Sequence, residues 1–277
     1  MIPTREFFFL DCPPGQRYCV LDAPPGVQPR GTVLFVPPFA EEMNKSRRAV
    51  ALACAALVEE RYAVLRLDPY GTGDSSGEFA EASIARWQAD LMAGAAWLSQ
   101  RYGRVDWLWG LRLGAPLACR LATALPTRPG LLLWQPVVAG KGHFTQFLRM
   151  KLASEMLSAG QAQGGTGALR AQLAAGEAVE VGGYELSPTL AAELDALNLE
   201  LPADYPGRVL WGEVAAPAEP TAEPALSPAS RRVVEGWRAQ GVRVEDFAAT
   251  GLPFWQTQEI DEGRALTGAT LARLFPA

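Results

Sequence analysis

The chain has 277 residues, 49% of them hydrophobic and 20% charged, so it can bury a large core and is not a disordered polypeptide. Lys and Arg total 25 against 30 Asp and Glu, a net charge of −5, which argues against nucleic acid as the main partner because a phosphate-binding surface needs a basic excess. No apolar run reaches the ~18–20 residues of a membrane span. The opening stretch from Met1 to Leu10 lacks a basic segment followed by a long apolar core. It reads as a strand and not as a signal peptide, so the cytoplasm is the expected location, and Ala-, Gly- and Arg-rich usage suggests a bacterium. Cys12, Cys19, Cys54 and Cys119 show no C-x-x-C spacing, and the apolar helical settings of Cys54 and Cys119 suit reduced, buried thiols.

In chain order, Glu6–Asp11 and Arg17–Asp22 flank Pro13-Pro14-Gly15 and predict an opening antiparallel pair. Thr32–Val36 ends at Pro37-Pro38 and reads as a buried strand. Asn44 is placed to cap a helix over Lys45–Arg61, whose Val50, Cys54, Leu57 and Val58 recur at helical spacing. Strand Tyr62–Leu67 ends at Asp68 and the loop Gly71-Thr-Gly73-Asp-Ser75-Ser-Gly77. A second amphipathic helix follows over Ile84–Tyr102, then strand Val105–Trp109, a helix from Ala115 and strand Leu131–Trp134. This alternation implies a mostly parallel, doubly wound α/β sheet.

The alternation breaks over 138–204, which reads as an inserted helical lid within a single domain. Phe144–Leu157 and Ser187–Leu197 are its helices, Leu173–Tyr184 a short strand or turn, and Gly160–Gly167 a mobile stretch. Strand Arg208–Trp211, a low-complexity loop over Ala215–Pro228, helix Pro228–Gln240, strand Val242–Phe247 and a closing helix near Gly263–Phe275 complete the chain.

The Gly71 loop is not a P-loop, since no Gly-Lys-Ser/Thr follows, and its glycines are not spaced as a dinucleotide fingerprint. A tight turn is the simpler reading, and ligand contact the alternative. One histidine and scattered carboxylates give no metal-ligand spacing, and no cofactor is expected.

Gly110-Leu111-Arg112-Leu113-Gly114, between a strand and an apolar helix, has the form of a nucleophile elbow. The nucleophile place holds Arg112, whose guanidinium stays protonated and is not a nucleophile. With the Asp68 loop before it, the elbow resembles the α/β-hydrolase pattern. A narrower resemblance rests on Phe35–Arg48 (FVPPFAEEMNKSRR), Trp109–Ala115 (WGLRLGA), Trp134-Gln-Pro-Val-Val, Gln146-Phe-Leu-Arg149, Gly183–Pro188 (GYELSP) and Pro253–Ile260 (PFWQTQEI). Together, over residues 5–262, these resemble the exosortase A system-associated hydrolase 2 family, α/β-hydrolase-like proteins encoded beside bacterial exopolysaccharide and exosortase genes. The resemblance implies an α/β-hydrolase fold and partners or ligands within that system.

In α/β-hydrolases, Ser is followed along the chain by an acid and then His. Here the acid's place after Arg208–Trp211 holds Ala215, with Glu213 either a displaced acid or, by the simpler reading, a solvated loop residue. The 249–256 stretch, where the base belongs, has no histidine. His143, the one histidine, precedes it in the wrong order. Ser75, Ser76 and Ser187 have no base partner in sequence, and a serine without one is a poor nucleophile.

Arg112 at a helix start could bind an anion, or be held by an internal carboxylate such as Glu41, Glu42, Asp68 or Asp74. Phe39, Glu41 and Glu42 fall on the expected pocket wall. Asn44, Lys45, Arg47 and Arg48 read as a cap and solvated face, or as a pocket group. Phe254, Trp255 and Gln256 pack the sheet edge or cover the pocket. The candidate site is therefore Arg112, Leu111, Phe39, Glu41, Glu42, Asn44, Asp68, Ser75 and Trp255. Three functions are consistent with it: a non-catalytic binder of a small anionic or acyl/glycosyl ligand or of a partner protein, an active hydrolase or acyltransferase with a non-standard constellation (Glu41, Glu42, Asp68, Ser75 or His143), and a scaffold of a biosynthetic assembly.

Overall fold

The computed structural model describes residues 4–159, 164–215, 223–257 and 261–276. Its strands are β1 (Thr4–Asp11), β2 (Gln16–Ala23), β3 (Gly31–Val36), β4 (Tyr62–Leu67), β5 (Trp107–Leu111), β6 (Gly130–Trp134), β7 (Val179–Val181), β8 (Tyr184–Leu186), β9 (Val209–Ala215) and β10 (Val244–Thr250). Its helices are α1 (Glu41–Glu59), α2 (Ile84–Tyr102), α3 (Gly114–Ala124), α4 (Gly140–Ala159), α5 (Thr166–Ala174), α6 (Pro188–Ala196), α7 (Pro228–Ala239) and α8 (Arg264–Leu274).

Eight strands form one sheet in the order β1-β2-β4-β3-β5-β6-β9-β10. β2 runs antiparallel to β1 and β4, and every other pairing is parallel. β7 and β8 make a separate hairpin. Side chains alternate between two packed faces, as a strand's period of two requires. Leu34 and Val36, Leu131 and Leu133, and Val209 and Trp211 join the core made with α2, α3 and α7. Val33 and Phe35, Trp109 and Leu111, and Leu132 and Trp134 join the core made with α1 and α8. Burial on both faces explains why these strands read as continuous apolar runs.

The 138–204 segment leaves the sheet after β6 and returns at β9. Its Phe144, Phe147, Leu148, Leu169, Leu190 and Leu194 join the larger core. A polar tie lies deep beside that core: Arg17 Nε is 2.7 Å from Asp90 Oδ1, and Asp90 Oδ2 accepts the Tyr70 backbone N–H at 2.7 Å.

Several boundaries differ from expectation. α1 begins at Glu41, so Asn44 lies inside the helix and does not cap it. Ala40, with φ 51°, turns the chain without a side-chain cap, and Glu41 and Glu42 place negative charge in the first turn, where the helix dipole favours it. β5 begins at Trp107, two residues late, because its register is set by β3 and β6. β9 runs on to Ala215, which puts Glu213 in a strand at 3% exposure and corrects its reading as a solvated loop residue. The last strand is Val244–Thr250. The mobile stretch expected at 160–167 falls partly on 160–163, outside the described residues, while Thr166 opens α5. Half of the 215–228 loop, 216–222, also lies outside them. Among the described residues, no helix is long and apolar enough to cross a membrane.

Candidate functional site

The elbow after β5 is built by close packing. A Cβ on Gly114 would meet the Val36 carbonyl oxygen at 2.1 Å, and one on Gly110 would meet the Ala115 Cα at 2.6 Å. Only glycine lets β3, β5 and α3 approach so closely. Between them Arg112 takes φ 54°, a left-handed conformation that costs energy for a residue with a side chain. Its backbone N–H donates to the Trp134 carbonyl at 2.9 Å, and its own carbonyl accepts from Ala115 and Val137. The sharp turn forms with Arg112 at its apex.

Three partners hold the guanidinium. Nε and Nη2 donate to Glu42 Oε1 at 3.1 and 3.0 Å, and Nη1 donates to the Gln135 carbonyl at 3.4 Å. The Trp255 ring covers it, its centroid 5.2 Å from Cζ. Burial pushes the Glu42 carboxyl above its ordinary pKa, and Arg112 opposes the shift. Arg112 is thus internally paired, and Glu42 is the carboxylate that holds it.

Above this pair is a cavity of about 510 Å³. Phe39 and the start of α1 (Glu41, Glu42, Lys45) form one wall. His143, Gln146, Phe147, Arg149 and Met150 of α4 form another, and Trp255 and Gln256 close the third side. Phe39 and Phe147 meet edge to face at 4.9 Å, and His143 lies 6.0 Å from the Phe39 ring. Lys45 Nζ donates to the Gln256 carbonyl at 3.0 Å, which joins two walls. Among the described residues, neither ring nitrogen of His143 has a hydrogen-bond partner. Burial, with the nearby Arg112 charge, lowers its pKa to about 3, so the imidazole is neutral.

The expected site residues separate into two groups. Phe39, Glu41, Glu42 and Trp255 line the cavity, and Arg112 touches two of them. The other four stand elsewhere. Leu111 is fully buried in the α1/α8 core. Asn44 is exposed and hydrogen-bonds with Glu41 and Tyr184, both at 3.3 Å. Asp68 accepts the Asp74 N–H at 3.2 Å and lies 3.7 Å from Arg47, with burial raising its pKa. Ser75 donates to the Asp68 carbonyl and accepts the Tyr18 N–H at 2.9 Å, which ties the glycine loop to β2. Ser76 accepts from the Gln16 N–H, and Ser187 caps α6.

Among the described residues the geometry therefore joins no serine to a base, since His143 bonds to neither a hydroxyl nor a carboxylate. Both oxygens of Glu213 are occupied, by Trp211 Nε1 at 3.1 Å and the Ser227 N–H at 2.9 Å. Phe254 packs in the core against Trp134. Apart from His143, a candidate of the non-standard catalytic constellation, the α4 residues of the cavity were not expected there. Their signal is the spacing of His143, Gln146, Phe147 and Met150, which puts them on one helix face. Among the described residues no cluster of His, Cys, Asp and Glu is arranged to hold a metal.

No protein-family model matches the sequence, and no curated protein does. Solved structures match in fold. Est1E from Butyrivibrio proteoclasticus with ferulic acid bound aligns at TM-score 0.66 and 16% identity, over 96% of this chain and 99% of that one. The esterase domain of a Rhodothermus marinus protein aligns at 0.61 and 19%, over 98% of each chain. A serine hydrolase without a lid from Xanthomonas campestris aligns at 0.56 and 18%, over 99% and 96%. At these identities the likeness establishes the α/β-hydrolase fold and nothing finer.

Proposed function

We propose that this protein uses an α/β-hydrolase fold to bind a small ligand and does not hydrolyse esters by serine chemistry. One observation carries the reading. The nucleophile's place is filled by Arg112, which is locked by Glu42 and covered by Trp255 from the stretch where a base would stand, yet an open cavity remains directly beside them. A guanidinium held this way supplies neither a nucleophile nor a free anion fork. Phe39, Phe147, Met150 and Trp255 offer an apolar surface for an acyl, aryl or glycosyl body. Lys45 and Arg149 supply positive charge to the same cavity and fit an anionic head group. Anion recognition then falls to these two residues and not to Arg112. The 138–204 segment acts as the lid, because α4 provides one cavity wall. The motif resemblance supports a cytoplasmic role in an exosortase/exopolysaccharide system, with an acyl or glycosyl compound of that system as ligand.

The purified protein should resist labelling by a fluorophosphonate and should not turn over p-nitrophenyl acetate or butyrate above buffer. Arg112→Ser should remain inactive, since a restored hydroxyl still lacks a base. Ferulate (an aryl carboxylate, as bound by the Est1E neighbour) and octanoate should bind by calorimetry, and Arg149→Glu should weaken both by roughly tenfold. Stoichiometric fluorophosphonate labelling, or no binding of either probe, would sink the proposal.

A further inference from the structure

β1 is the outermost strand of the sheet, and among the described residues β2 is its sole strand partner. Its outer edge is eight residues long and contains no proline or lysine. Glu6, Phe8 and Leu10 are half-buried, with Phe8 stacked on Trp97 at 4.7 Å. Arg5, Phe7, Phe9 and Asp11 face outward, and Phe7 and Phe9 are 63% and 54% exposed. Sheet edges are normally protected by charge, proline or a bulge. The opposite edge follows that rule, since β10 carries Glu245 and Asp246, paired with Arg208 and Arg238. β1 carries charge too, with Arg5 and Glu6 paired to Asp22 and Arg101, but between Glu6 and Asp11 it presents three successive phenylalanines and a leucine along an open edge.

The sequence of β1 is self-complementary when two copies run antiparallel about Phe8. In that register Arg5 faces Asp11, Phe7 faces Phe9, Glu6 faces Leu10, and Phe8 faces its own copy. We infer that β1 pairs with β1 of a second copy of this chain across a twofold axis at Phe8, joining the two sheets into one. Twofold symmetry repeats each contact, giving two Arg5–Asp11 ion pairs and two Phe7–Phe9 pairs on the outward face. Aromatic and opposite-charge cross-strand pairs are the stabilising kind. Arg5 holds Asp22 through Nε at 2.6 Å, which leaves its outer guanidinium nitrogens for Oδ2 of the facing Asp11, whose Oδ1 already accepts from Gln16 at 2.8 Å. A one-residue slip would put Arg5 opposite Leu10 and lose both ion pairs, so the charges select the register.

Sedimentation velocity over a wide concentration range tests the pairing, with a species of twice 29.8 kDa expected. Phe7 and Phe9 are exposed and meet the Tyr18 ring of β2 at 6.5 and 5.6 Å, so Phe7→Lys/Phe9→Lys should lower the melting temperature only slightly and raise the dimer dissociation constant by at least about tenfold. Mild oxidation of Phe8→Cys should give an intermolecular disulfide, because facing residues in an antiparallel pair lie within bridging distance. The Glu6→Cys variant, facing Leu10, should cross-link far less. Native thiols contribute little background, since all four cysteines are buried and burial raises Cys12 to about 11 and Cys19 and Cys54 to about 12. A monomer at every concentration overturns the inference. So does a dimer indifferent to the Phe7/Phe9 change, or equal cross-linking of the two cysteine variants. If losing the Trp97 stack unfolds Phe8→Cys, the double lysine variant decides alone.

Discussion

Among the described residues, His143 is a buried imidazole with both ring nitrogens unpartnered. It lines the cavity at 9% exposure, and its pKa falls from 6.5 to about 3 through burial and the nearby Arg112 charge. The sign of its linkage follows from the direction of the shift. Between pH 6.5 and 3 the unfolded chain binds a proton at this residue and the folded chain does not, so stability falls as pH drops through that window. Going from pH 7.5 to 5 should remove up to about 2 kcal/mol from this source. Glu42 works in the opposite direction: burial raises its pKa, so the folded state accepts that proton more readily and gains stability as pH falls. The two are separable by mutation. Urea denaturation of the parent and of His143→Phe at both pH values should show the parent losing about 2 kcal/mol more than the variant. Parallel losses would mean that His143 is not held neutral in the folded protein.

At the scale of elements, glycine separates what is built from what is spare. Gly114 packs its Cα against the Val36 carbonyl, so Gly114→Ala should cost about 2–3 kcal/mol by forcing α3 away from β3. Gly142, in the first turns of α4, has open space where a Cβ would go, and Gly142→Ala should stabilise by about 0.5 kcal/mol through helix propensity. Thermal melts of the two variants should move in opposite directions, and a Gly114→Ala protein as stable as the parent would remove the steric account of the elbow. The same contrast explains what the sequence made legible. The elbow could be read because each of its glycines answers a local steric demand, and β3, β4 and β6 because strands buried on both faces are continuously apolar. The helix start at Glu41 was hidden because Asn44 is a good capping residue that the β3–α1 turn leaves one turn too late. The cavity was half legible. Phe39, Glu41, Glu42 and Trp255 sit where the elbow's geometry projects them, whereas the spacing along α4 marks a shared helix face but not what that face packs against. The Arg17–Asp90 pair joins residues 73 positions apart in sequence and leaves no local trace.

For the whole molecule, the question is whether the 138–204 segment is a separable cap or part of one cooperative unit. A cap able to open and melt independently would have its own core and a polar contact surface. This segment has neither. Phe144, Phe147, Leu148, Leu190 and Leu194 belong to the same continuous cluster as Leu34 and Val36 of β3 and Leu91 and Leu98 of α2. Polar ties reinforce the seam, since Glu193 of α6 accepts the backbone N–H of Ile84 at the start of α2, at 2.5 Å. Detaching the segment would expose Phe39 together with its own aromatic side chains. It should therefore unfold with the sheet. The tryptophans make this directly observable: all eight, including the buried Trp109, Trp134 and Trp211, lie outside 138–204, while α4, α5 and α6 contribute a large share of the helix. Urea curves followed by tryptophan emission and by far-ultraviolet circular dichroism should superimpose, with one midpoint and one slope. Loss of the dichroism signal ahead of the fluorescence change would instead mark the segment as an independent unit. Ligand entry would then run through cap opening, and not through the gap between α1, α4 and Trp255 already present in the folded state.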